Sequence, residues 1–196
     1  MTGASTRFDI RLERLRARLV PGLCVFLLVA VAHAQQPATD FRQERPNESE
    51  PASERTEVRV LFDDKNIYFG IRAFDSEATH INARDLVRDS DFPNDDKVEI
   101  LLDTYDDRRN AFRFGVNPLG TQQDALITDE GRDINVSWDG SWISAGRIDD
   151  KGYTVEIEIP LTTLRFKEGI ESWGFNVSRI IRRKNEENLW TSWQRS

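Results

Sequence analysis

The sequence predicts an all-β, antiparallel β-sandwich of jelly-roll type, and three observations carry that prediction. Apolar and polar residues alternate with period two through about eight short segments. Turn residues separate those segments at short, regular intervals, and only Glu77 to Val87 and Pro160 to Leu164 have room for a helical turn. Sheets that bury one face and wet the other read this way, and many short strands with little helix indicate a sandwich or jelly roll. No internal repeat is evident, which disfavours a propeller or solenoid.

Residues 1–34 read as a signal peptide. Arg7, Arg11, Arg14, Arg16 and Arg18 form a basic region ahead of the apolar run from Leu19 to Ala32, and Ala32-His33-Ala34 supplies the small residues of a cleavage site. The run is shorter than the roughly 20 residues a spanning helix needs, and Pro21-Gly22 interrupts it. The expected location is therefore the periplasm, the outer membrane or the extracellular space. Residues 35–55 carry Pro37, Pro46 and Pro51 among polar side chains and read as an extended lead-in. Residues 56–196 read as one sandwich domain.

The strands follow in order. Val58 to Phe62, the turn Asp63-Asp64-Lys65-Asn66 and Ile67 to Phe74 make a hairpin. Asp96 to Asp103 places Val98, Ile100 and Leu102 on one face and Glu99, Leu101 and Asp103 on the other. Asn110 to Asn117 sets Phe112, Phe114 and Val116 against Ala111, Arg113 and Gly115. Gln122 to Thr128 alternates less cleanly. Trp142 to Ile148, Tyr153 to Ile159 and Trp173 to Ile181 complete the set.

Composition narrows the functions. The 196 residues carry 27 basic and 34 acidic side chains, and loss of the arginine-rich leader makes the remainder more acidic still. Such a chain repels phosphate backbones, so nucleic acid is not an expected partner. The only cysteine, Cys24, lies in the leader, which leaves the mature chain without disulfides. His80 is the single histidine after residue 34, and neither a phosphate-cradling glycine loop nor zinc-ligand spacing is present. Asp95, Asp96, Glu99 and Asp103 are the carboxylates to weigh for glycosidase chemistry, but two of them begin a strand and two lie on its outer face. Asp103, Asp106 and Asp107 offer closely spaced oxygens that suit calcium, or form a solvated acidic turn.

Aromatic faces pack against sugar rings, so the tryptophans are the remaining candidates. Trp173 alternates with Phe175 and Val177 and reads as core. Trp138 and Trp142 bracket the turn Asp139-Gly140-Ser141, which puts at least one of them at a loop rim or in the core. Trp190 and Trp193 stand in a polar setting near the end; in an extended segment they face opposite sides, so one of them is a binding candidate.

Several segments together resemble family 9 carbohydrate-binding modules. Thr56 to Asp64 with Ile67 to Ile71 looks like their opening hairpin, and Asp96 to Asp103 like their acidic strand. Gly152 to Pro160 and Trp173 to Val177 are similar to their closing strands. Asn117-Pro118-Leu119-Gly120, Asp124 to Gly131 and Arg179 to Glu187 resemble one branch, the front domain of large exported bacterial proteins that continue into an outer-membrane β-barrel. The resemblance implies a non-catalytic sandwich that binds sugar chain ends between aromatic rings, often beside calcium and often attached to a xylan-degrading hydrolase. It implies that Glu99 and Arg113 bond sugar hydroxyls and that Trp190 or Trp193 forms a stacking wall. The alternatives are a structural domain of a barrel protein that binds no sugar, and part of a glycoside hydrolase. The family's first strand has no counterpart here, so the expected sandwich lacks it, and Phe92 is the one aromatic where members place a second stacking ring.

Overall fold

The computed structural model describes residues 38–170 and 172–191. Within them the chain forms two antiparallel sheets. Strands β1 (Arg42–Arg45), β4 (Lys97–Asp103), β5 (Ala111–Val116), β6 (Gln122–Thr128), β7 (Asp133–Asn135), β10 (Gly174–Ile181) and β11 (Glu186–Leu189) build the larger, in the order β1-β11-β10-β4-β5-β6-β7. Strands β2 (Thr56–Phe62), β3 (Asn66–Phe74), β8 (Ile143–Asp149) and β9 (Gly152–Pro160) build the smaller, in the order β2-β3-β9-β8. The sandwich expected from the alternation is therefore present.

Period-two burial assigns the faces. Val98, Ile100, Leu102, Phe112, Phe114, Val116 and Val177 of the larger sheet pack against Val58, Val60, Ile67, Phe69, Ile71, Val155, Ile157 and Ile159 of the smaller. Ends are set by local chemistry. In the β2–β3 turn, Asp63 Oδ1 accepts the Lys65 and Asn66 N–H groups, each at 2.8 Å, and Oδ2 accepts the Tyr68 hydroxyl at 3.0 Å. Gly152 opens β9 at φ +135°, and a Cβ there would lie 2.1 Å from the Ala73 carbonyl oxygen. Only glycine fits both demands. The two segments with room for a helical turn hold one 3-10 turn each, Ala78–His80 and Leu161–Thr163.

Residues 38–55, most of the expected lead-in, join the sandwich. Arg42–Arg45 pairs with β11, Ala38 bridges Val58, and Phe41 is buried in the core. Among the described residues β2 is an edge strand whose outer side meets only that bridge. The proposed signal peptide lies outside the described residues.

The long crossover from β3 to β4 is fastened from within. Both Asp95 carboxylate oxygens accept the Arg84 N–H at 3.0 Å, and Oδ2 also accepts the Asp85 N–H at 2.9 Å and Asn117 Nδ2 at 2.9 Å. Asn117 Oδ1 in turn accepts the Leu119 and Thr121 N–H groups. This crossover brings the Ser90 carbonyl over the outer face of β6.

Candidate functional site

The outer face of the larger sheet, opposite the core, carries an unusual polar set. Register lines up Gln123, Gly115, Glu99 and Ser178 as one row across β6, β5, β4 and β10, with Ala125, Arg113, Leu101 and Asn176 as the next. Arg113 is thus a diagonal neighbour of both Glu99 and Gln123, within reach of long side chains. Gln123, Asn176 and Ser178 are all buried although they face away from the core.

Glu99 is held in place. Lys97 Nζ donates to its Oε1 at 2.7 Å and Ser178 Oγ to its Oε2 at 3.3 Å. Its side chain is 14% exposed, so one carboxylate edge stays ordered and reachable. Arg113 is different: its Nε is buried and has no hydrogen-bond partner among the described residues. Gln123 gives its Nε2 to the Ser90 carbonyl at 3.0 Å, which leaves its buried Oε1 unpartnered. Gly115 stands between Gln123 and Glu99 in the register row, two residues from Arg113 on the same strand, and a Cβ there would touch Gln123 Oε1 at 3.4 Å. The missing side chain leaves room beside a carboxylate, a guanidinium and an amide. A hydroxyl, which both donates and accepts, is the group that such a set can bind.

The tryptophans are not at that face. Trp142 is buried, packs edge-on against Phe114 at 5.1 Å, and donates Nε1 to Asp124 Oδ2 at 2.7 Å. Trp138 lies against Phe112 at 5.0 Å and Phe114 at 5.9 Å, also on the core side. The turn between them closes onto the core because Gly140 lets the Trp138 ring approach to within 2.6 Å of where a Cβ would stand. Trp142 is enclosed, and Trp138 is half-buried with its ring against Phe112 and Phe114. Trp190 stacks on Phe175 at 5.1 Å and 23°, on the core side of the sheet and away from Glu99 and Arg113. Phe92 is fully buried and offers no stacking face. Trp173 is core, as its alternation indicated. Trp193 lies outside the described residues.

The carboxylates of the acidic turn bond to the turn's own N–H groups. Asp103 Oδ1 accepts the Tyr105 N–H at 3.1 Å and Oδ2 the Arg108 N–H at 2.8 Å. Asp107 Oδ1 takes the N–H groups of Arg109 and Asn110, and its Oδ2 takes Asn110 Nδ2 at 2.6 Å. These carboxylates fold the β4–β5 turn, and although burial is the largest single influence on Asp107 and pushes its carboxyl up, the bonds from Arg109 and Asn110 together hold it below its usual range. Asp106 joins no shell with them: among the described residues, no group of three or more His, Cys, Asp or Glu side chains converges as a metal shell requires. The carboxylates weighed for glycosidase work are likewise dispersed, with Asp95 bonded into the crossover and Asp96 inside the sandwich.

Lys97, Ser178 and Gln123 are members of the site that the sequence reading did not single out. Lys97 was legible, two residues before Glu99 on the same face; Gln123 and Ser178 require the strand register.

A crystal structure of a proposed carbohydrate-binding protein from Bacteroides uniformis has the same fold, with a TM-score of 0.59 at 14% identity over 82% of this chain and 79% of that one. A family 9 carbohydrate-binding module from Caldicellulosiruptor kristjanssonii, solved with cellotriose, matches at a TM-score of 0.48 and 16% identity, over 77% of this chain and 70% of that one. No curated protein matches the chain. The family described as carbohydrate family 9 binding domain-like matches residues 31–196, and the chain, a carbohydrate-binding-module-like sandwich, belongs to that family.

Proposed function

We propose that this chain is a non-catalytic carbohydrate-binding module of an exported protein, and that it takes neutral oligosaccharides of the xylan or cellulose type on the outer face of its larger sheet. One observation carries the reading: Gln123 Oε1, across the strand pair from Gly115, and Arg113 Nε, two residues along the strand from it, are buried without hydrogen-bond partners among the described residues, and an ordered Glu99 stands on the other side of Gly115. A donor, an acceptor and a carboxylate around a side-chain gap match vicinal sugar hydroxyls. The mature chain's excess of acid fits a neutral ligand better than an acidic one.

Calorimetric titration of residues 35–196 with xylo- and cello-oligosaccharides, carried to millimolar sugar, tests this. Saturable heat that Arg113→Ala weakens by about 10-fold to 100-fold is expected, the usual worth of a charge-assisted hydrogen bond. A folded chain with no heat, or heat indifferent to Arg113→Ala, refutes the site. A reducing-sugar assay on the same polymers separates binding from hydrolysis.

A second reading, a structural front domain of an outer-membrane barrel protein, is favoured by the packing of Trp138, Trp142, Trp190 and Phe92 into the protein body. It predicts a stable fold that gives no heat with any oligosaccharide.

A further inference from the structure

The interior of the sandwich is apolar along most of its length and polar at one end. Core-facing positions at that end are Gln43 of β1, Asp96 just before β4, Tyr153 of β9, Arg179 of β10 and Asn188 of β11, with Asp75 just past β3. Each is buried. Part of this set is satisfied within the chain. Arg179 donates Nη1 to Thr56 Oγ1 at 3.1 Å and Nη2 to the Phe74 carbonyl at 2.7 Å, and Asp96 Oδ1 accepts the Arg182 N–H at 2.8 Å.

Seven buried atoms are not: Gln43 Oε1, Asp75 Oδ2, Asp96 Oδ2, Tyr153 OH, Arg179 Nε and both amide atoms of Asn188 have no hydrogen-bond partner among the described residues. They are neighbours. Asn188 faces Gln43 on one side and Arg179 on the other. Arg179 lies 3.7 Å from Asp75 Oδ2 and 5.5 Å from the centre of the Tyr153 ring. The Tyr153 hydroxyl stands near enough to Asp96 and Asp75 to feel their charges, and Arg179 comes within hydrogen-bonding reach of it without the alignment of a formed bond.

Native interiors satisfy nearly all their buried polar atoms, so a gathering of this size points to an occupant. Its chemistry follows from the lining. The set mixes donors, acceptors and a hydroxyl, and the carboxylates Asp75 and Asp96 are opposed by the guanidinium groups of Arg179 and Arg183. A cation would meet the guanidinium groups and an anion the carboxylates. Water is neutral, small, and able to give and take bonds at once.

We propose that this end of the interior is a bound-water site, in which a small cluster of ordered waters bridges β1, β4, β10 and β11 of the larger sheet to β9 and the end of β3 in the smaller. At about three hydrogen bonds per buried water, the seven atoms call for roughly two to three molecules. Arg183 closes the site. Its Nη2 bonds Asp75 and Glu54, its Nη1 lies 3.6 Å from Glu77, and it lines a cleft of about 610 Å³ with Glu77, His80 and Arg84.

High-resolution crystallography of the chain tests the proposal, with parallel crystals soaked in rubidium and in bromide. Two or more density peaks within hydrogen-bond distance of at least four of the seven atoms, without anomalous signal after either soak, are expected. Asn188→Leu should lose the peaks nearest β11 and keep the others. Direct re-pairing of the side chains with no intervening density overturns the proposal, and an anomalous peak overturns the choice of water.

Discussion

Replacing Asp96 by Asn should remove a pH dependence of stability that this one carboxyl imposes. Burial pushes the Asp96 carboxyl up to about 6, against the partial relief given by the Arg182 N–H and the positive charge of Arg179, while Asp75 adds to the rise. Facing it are Arg179 from β10, Asp75 from the end of β3, Tyr153 from β9 and Arg183 from the turn after β10. An aspartate in the unfolded chain titrates near 3.9, so the folded state holds this proton more tightly across roughly two pH units. The sign follows: where the folded state binds more protons, stability falls as pH rises. The contribution is whole below about pH 4 and lost by about pH 6, to a total of about 3 kcal/mol at 1.36 kcal/mol per unit. Urea unfolding of wild type and Asp96→Asn between pH 4 and pH 7 measures it. The stability difference should move in favour of the variant by up to that amount, with no further change above pH 7. Parallel profiles would refute the argument, because they would mean that Asp96 titrates alike in both states. Burial opposes ionisation of Glu54, but the bonds from Lys184 and Ser76 hold its carboxyl down to about 2; it acts in the opposite sense, below about pH 4.5, and because both proteins carry it, it cancels in the difference.

Three further outcomes are expected. Gly115→Ala, whose methyl would meet Gln123 Oε1 at ordinary contact distance, should fold with unchanged thermal midpoint and lose about fivefold to tenfold in oligosaccharide affinity, the worth of one neutral hydrogen bond. Trp142→Phe keeps the ring against Phe114 but strips a donor from buried Asp124, whose carboxyl burial already pushes up; denaturant unfolding should show a loss of about 1–3 kcal/mol. Gly152→Ala puts a side chain in a region of φ/ψ space that is nearly glycine-only and against the Ala73 carbonyl, so at least about 1–3 kcal/mol of stability should go in the same assay.

Six of the eight strands legible in the sequence turn mostly apolar residues to the core, whereas β6 and β8 turn Gln122, Asp124, Ser144 and Gly146 inward and alternate less cleanly. The three that were not legible have a common physical cause in two cases. β1 and β11 turn Gln43, Glu186 and Asn188 inward, so their segments read Arg-Gln-Glu-Arg and Glu-Glu-Asn-Leu without an alternation to detect. They line the polar end of the interior, and the same side chains that hide them from a periodicity reading gather there. β7 is three residues long and exposed throughout, so it has no buried face to leave a pattern. The tryptophans misled for another reason. Asp139-Gly140-Ser141 is turn chemistry and suggested a rim, but Gly140 lets the turn fold flat and Asp124, inward-facing on β6, supplies the buried acceptor that an indole N–H needs. The polar inward position of Asp124, between two glutamines and an apolar run, was the available signal.

The polarity of the outer face also sets how strongly it can bind. Protein–water and sugar–water bonds must break before protein–sugar bonds form, so each neutral bond nets about 1 kcal/mol and each charged one about 1.5–3 kcal/mol. Glu99 and Arg113 with one bond from Gln123 then supply about 4–7 kcal/mol, from which the cost of association and of ordering the sugar is subtracted. The balance is a dissociation constant near or above about 1 mM, which corresponds to about −4.1 kcal/mol. Affinity of that order suits a module that works beside many copies of its ligand on a polymer, where repeated sites supply the local concentration. A micromolar constant from the titration would contradict this arithmetic and require an apolar wall that none of Trp138, Trp142, Trp190 or Phe92 supplies beside Glu99 and Arg113. Trp193→Ala would then be the variant to measure first: loss of the tight binding would assign the wall to that ring, and its retention would move the ligand off this face of the sheet.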